Sequence, residues 1–163
     1  MNKDLFITDS HLTKLKIRST DFGGKVWGLV QLKKCGFDVP TFAVISSIAC
    51  RDKVWRKEDT FRADVLDWLK SVKNGEDAKI IVRSSSSLED QKYSSCAGVF
   101  KSMVLEDVND VFLTLDDILE HAEKERDKRY KYSEGDISIV LQKYVKGQIS
   151  GVCFSVDPVK ANP

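Results

Sequence analysis

The stretch IIVRSSSSLEDQKYSSCAGVF, Ile80 to Phe100, decides how this chain is read. It opens as a short apolar run of β-branched residues, which favours a strand over Lys79–Arg83. One arginine, four consecutive serines and a second small-residue segment follow. Two local readings stand side by side. In one, the serines are a polar surface turn and Arg83 pairs with Glu89 or Asp90. In the other, Arg83 places a planar guanidinium over a phosphate. The Ser84–Ser87 hydroxyls and the backbone N–H groups near Ala97 and Gly98 then close over that anion, since glycine lets the backbone approach. The stretch is not a Walker A loop, because G-x-x-x-x-G-K-[ST] occurs nowhere in the chain.

Outward from this stretch, helices and strands mix without strict alternation. Val99–Leu105 reads as the return strand of a hairpin. Phe61, Val65, Leu69 and Val72 recur at the helical period, with Leu66 and Trp68 widening the apolar face, and Lys73-Asn74-Gly75 ends that helix. Val108, Val111, Leu115, Ile118, Leu119 and Ala122 give another amphipathic helix, whose charged continuation EKERDKRYKY reads as a solvated face. Upstream, Leu29, Leu32 and Cys35 fall at helical spacing, with Gly36 as the C-terminal cap and Lys33 and Lys34 at the negative end of the dipole. Val39–Ile45 reads as a buried strand entered through Pro40. Ile137–Val145 and Ser150–Val156 read as two further strands. The pattern predicts an α+β fold.

At 163 residues the chain is long enough for one substantial core. Hydrophobic residues at 42% and charged residues at 31% argue against disorder. The 26 Lys and Arg nearly cancel the 25 Asp and Glu, and a net charge of +1 gives no support for a nucleic-acid partner. Four scattered cysteines with two histidines suit neither zinc nor a disulfide framework, and read as free thiols. No secretory leader and no apolar run of about 18 residues is visible, so no membrane partner and a cytoplasmic location are expected.

Two more stretches can carry chemistry. Gly23-Gly24-Lys25 at a helix start offers close backbone approach, free N–H groups and a point charge to an anion, or is a plain loop. Gln142-Lys143-Tyr144-Val145, near the end of an apolar strand, can lay backbone groups beside a flat purine, or is an ordinary core hairpin.

Together these stretches resemble one family. GGKVWGLVQLKKCGFDVPTFAVIS, VRSSSSLEDQKYSSCAGVFKS and IVLQKYVKGQISGVCFSVDP are similar, in order, to three motifs of the ATP-binding domain of pyruvate, phosphate dikinase and phosphoenolpyruvate synthase. Rifampicin phosphotransferases and glucan, water dikinases share this domain. The resemblance runs from about Phe22 to Pro158. It implies an ATP-grasp fold, with residues 1–145 as the N-terminal subdomain and 146–163 as the incomplete start of the second, the whole being truncated. It implies that Lys25, Arg83, Ser84, Ala97 and Gly98 bind ATP phosphates, and that Gln142, Lys143, Tyr144 and Val145 hold adenine through backbone groups. Val26 departs from the family's glycine, Cys96 from its aromatic residue, and Ser155 from its threonine.

The resemblance further implies ATP and Mg2+ as cofactors, with the magnesium ligands expected beyond Pro163, and no catalytic residue or metal ligand in this chain. The parent protein would be an ATP-dependent phosphotransferase that passes phosphate through a histidine to an acceptor, which the sequence does not identify. The chain alone would be inactive. Its partners would be the nucleotide and either missing C-terminal domains of the same polypeptide or another protein. The alternative is a non-catalytic half-domain acting as a nucleotide-binding or protein-interaction module.

Overall fold

The strand that begins at Ile80 does not stop at Arg83. In the computed structural model, which describes residues 5–74, 78–86, 101–129, 136–149 and 151, it continues through the serines to Ser86. Ser84, Ser85 and Ser86 are all buried. The sequence reading placed these serines in a loop, and the structure corrects it. Packed elements lie on both sides of the strand here, and serine is small enough to fit between them.

The elements run as β1 (Phe6–Thr8), α1 (Asp9–Leu12), α2 (Ser19–Phe22), α3 (Gly24–Lys34), β2 (Phe42–Ile45), α4 (Ser47–Asp52), α5 (Asp59–Lys73), β3 (Ile80–Ser86), β4 (Ser102–Leu105), α6 (Val111–Arg129) and β5 (Ile137–Lys143). Single 3₁₀ turns lie at Val54–Arg56 and Val108–Asp110. The strands form one sheet in the order β1-β2-β5-β3-β4, with every neighbouring pair antiparallel. The fold is α+β, as the sequence predicts.

Side chains directly opposite in an antiparallel ladder share a face, so the register sorts the sheet into two sides. Val82 opposite Leu141, Ile45 opposite Ile139 and Ile80 opposite Leu105 lie on one side. They join Phe61, Val65 and Leu69 of α5 and Leu115, Ile118 and Leu119 of α6 in the larger core. Ile7 opposite Val44, and Val44 opposite Val140, lie on the other side. There a smaller core forms with Leu12 of α1 and with Val26 and Val30 of α3.

The periodicities of α5 and α6 are borne out, including the left-handed Asn74 that ends α5. The exposed end of α6 carries the ion pairs Lys124–Glu120 and Lys128–Glu125, as a solvated helical face should. The reading of α3 is corrected in part. Its buried residues are Val26 and Val30, whereas Leu32 is 47% exposed and Trp27 42%. Its end follows expectation. Gly36 has φ +84°, its N–H donates to the Lys33 carbonyl at 3.1 Å, and the Phe37 N–H reaches Leu32 at 3.1 Å. This pair of bonds is a Schellman motif. A Lys33–Asp9 ion pair ties α3 to α1.

Cys35 is exposed, and Cys50, inside α4, is buried; both are free thiols. Burial pushes the Cys50 thiol well above its ordinary range, which leaves it protonated and inert. Among the described residues, no helix is long and apolar enough to cross a membrane.

Candidate functional site

The two phosphate candidates from different ends of the sequence meet where α3 abuts β3. Gly23 has φ +85°, and a Cβ built on it would stand 2.4 Å from Ser85 Oγ and 2.7 Å from the Ser86 nitrogen. Only glycine permits that approach. It brings the first turn of α3 against the serine strand, and the Val26 N–H donates to Ser85 Oγ at 3.4 Å. Gly23, at the N-cap position, has no side chain to cap the helix. The strand therefore supplies the hydroxyl in its place. The Val26 side chain, standing where the resemblance has glycine, is fully buried in the smaller core.

Arg83 lies opposite Val140 and Ser102, so its side chain leaves the sheet on the face that carries α3. Arg83 and Ile81 are half-buried, while Ser102 and Val104, beside them on that face, are exposed. Here the sheet passes from helix-covered to open. Lys25 is half-buried in the first turn of α3. The N-terminus of α3, with Lys25 in its first turn, thus docks on the strand that carries Arg83.

Ser84 pairs with Ile139 and so turns to the opposite face from Arg83, into the larger core. Its hydroxyl is buried without a hydrogen-bond partner among the described residues. So is that of Ser138, which faces Ser85 across the β3–β5 ladder. The sequence reading did not single out Ser85 as a cap or Ser138 as its neighbour. The near contact of Gly23 with β3 is the signal that joins them, and it exists only in three dimensions.

Gln142 is buried at the end of β5 and shares the face of Arg83 through its pairing with Ile81. Beyond it the backbone is largely committed. The Lys143 N–H donates to the Thr41 carbonyl at 2.8 Å and the Tyr144 N–H to the Lys79 carbonyl at 2.8 Å. Val145 is exposed, and its N–H has no backbone partner among the described residues. Tyr144 and Lys146, with Ala78 and Lys79, line a cleft of about 380 Å³. At ~3.3 Å rise per residue, Tyr144 stands about 13 Å along the chain from Val140, the residue opposite Arg83.

Cys96, Ala97 and Gly98 lie outside the described residues, as does the expected Ser150–Val156 strand except for Gly151, which is exposed and in no strand. Among the described residues no group of three or more His, Cys, Asp or Glu is placed to hold a metal ion.

Compared with models of known protein families, residues 58–163 match the pyruvate phosphate dikinase AMP/ATP-binding domain. A search of curated proteins gave no match. The matched segment is more than half of the chain and holds Arg83 and Gln142–Val145, while Gly23–Lys25 precede it. Folding brings that earlier glycine turn onto the matched strand. The chain belongs to the pyruvate phosphate dikinase AMP/ATP-binding domain family and is an ATP-binding domain of the dikinase type.

Proposed function

We propose that the open part of the α3 face of the sheet is one wall of an ATP-grasp nucleotide cleft. The observation that carries this reading is the docking of the α3 N-terminus on β3 at Gly23, beside Arg83. Lys25 and Arg83 act as fixed cations toward the phosphates, Lys25 as a point charge and Arg83 as a planar fork. The Ser84 side chain is turned away from this face, so that residue contributes through its backbone. Ala97 and Gly98 form the covering loop. The purine lies in the cleft beside Tyr144. Since Lys143 and Tyr144 have spent their N–H groups on the sheet, the Val145 N–H is the donor left for the adenine edge. Residues 1–145 form one subdomain and 146–163 begin the second.

In the parent enzyme, phosphate from ATP passes to a histidine and then to an acceptor. Developing phosphate charge is stabilised by the positions of Lys25 and Arg83 rather than by covalent chemistry from this wall.

Calorimetric titration of the 163-residue chain with ATP tests the reading. Arg83→Ala should weaken binding by about 1.5–3 kcal/mol, the range for a charge-assisted contact. Lys25→Ala should weaken it by about 1 kcal/mol or more. AMP, which lacks the distal phosphates, should be nearly indifferent to both changes. Equal loss for ATP and AMP, or no loss for either, overturns the assignment.

A further inference from the structure

A second cavity lies away from the proposed nucleotide wall, between β1, the end of α1 and the first turns of α5. It measures about 220 Å³. That is below the ~300–1,000 Å³ of drug-sized pockets, so it suits a small molecule. Phe6, Phe61 and Trp68 form its aromatic lining. The Phe6 ring meets Phe61 edge-on at 6.2 Å between centroids and Trp68 at 6.1 Å. Glu58 and Asp64 bring carboxylates to the same cavity. Among the described residues, neither makes a hydrogen bond or ion pair through its side chain.

Among the described residues the lining contains no lysine or arginine, and His11 is the one side chain there able to carry positive charge. Glu58 and Asp59 already answer the positive end of α5, at its N-cap and in its first turn. Asp64, about a turn further along, is half-exposed at the cavity and has no ion-pair partner among the described residues. Unpaired carboxylates beside electron-rich rings favour a cation, and aromatic walls favour one with an apolar body.

We propose that this cavity is a binding site for a small organic amine, its apolar body against Phe6, Phe61 and Trp68 and its ammonium group toward Asp64 and Glu58. The site is independent of the nucleotide wall, and its test involves no nucleotide.

Phenethylamine is the probe, set against two compounds of the same shape, neutral phenethyl alcohol and anionic phenylacetate. Each is titrated into the 163-residue chain, with affinity read by calorimetry and location by amide shifts in β1 and α5. The amine should bind about tenfold more tightly than the alcohol, and phenylacetate most weakly, because only the amine meets the carboxylates. Asp64→Asn keeps the shape of a half-exposed side chain and should bring the amine down about fivefold to tenfold, leaving the alcohol unchanged. Equal affinity for amine and alcohol, preference for phenylacetate, shifts confined to other elements, or no binding at all overturns the proposal. So does binding of a short lysine-containing peptide where free phenethylamine fails, which would make the cavity a protein-docking site instead.

Discussion

At Gly23 the backbone combines φ +85° with a Cβ position 2.7 Å from the Ser85 carbonyl carbon. An alanine there meets strain in its own torsion and collides with the backbone of β3, which has no flexible end to give way. Gly23→Ala should therefore cost about 2–4 kcal/mol, from overpacking together with left-handed strain. Ser85→Ala is milder. It removes the hydroxyl that receives the Val26 N–H and should cost about 1 kcal/mol, the usual worth of an N-cap. Urea unfolding of both variants checks the order. A Gly23→Ala chain as stable as the parent would mean that α3 does not press on β3 as described. The same pair of residues explains what the sequence concealed. The four-serine run looks polar and loop-like because serine favours turns. Ser85, however, is covered by a helix nearly sixty positions upstream, which no local pattern discloses.

Among the elements, α5 and α6 were legible because each buries one regular apolar face against a continuous core. Spacing alone identifies such a face. The α3 helix was legible in its existence and its end but not in its orientation. Its first turn is anchored by Gly23 and Ser85, which rotates Val26 and Val30 inward and leaves Leu32 outside. The short α1, α2 and α4 escaped because four to six residues hold little periodicity. The α2 helix instead depends on one carboxylate. Asp21 accepts the Arg18 N–H at 2.8 Å, and that backbone bond, aided by the Arg18 guanidinium, holds its carboxyl below its ordinary value of 3.8. A depressed folded-state value means that the stabilisation is complete above pH ~3.8 and fades as pH falls through the folded value. Asp21→Asn should therefore be less stable than the parent near pH 6. The difference should close progressively below pH ~4, in unfolding free energies measured between pH 2 and 6. A gap that persists unchanged at the acid end would remove the carboxylate's ionisation from the account.

On the scale of the whole molecule, one sheet separates two cores with different duties. The larger, behind the sheet, holds α5 and α6 and contains most of the large buried side chains. The smaller holds α3 against β2 and β5 and so fixes the glycine turn relative to Arg83. Damage to each should read out differently. Leu115→Ala empties a fully buried site in the larger core and should cost about 2–5 kcal/mol. It lies across the sheet from the proposed nucleotide wall, so ATP affinity measured well below the unfolding midpoint should stay within about twofold of the parent. Val30→Ala removes less volume from the smaller core and should cost less stability, about 1–3 kcal/mol. Yet it loosens the seat of α3, and a misplacement of about 1 Å at a charged contact is enough to matter. ATP affinity should therefore fall severalfold in Val30→Ala even though that protein is the more stable of the two. Denaturant unfolding paired with ATP calorimetry on both variants decides it. If affinity follows stability, with Leu115→Ala the weaker binder, the two cores are not divided in this way and α3 does not set the geometry of the phosphate end.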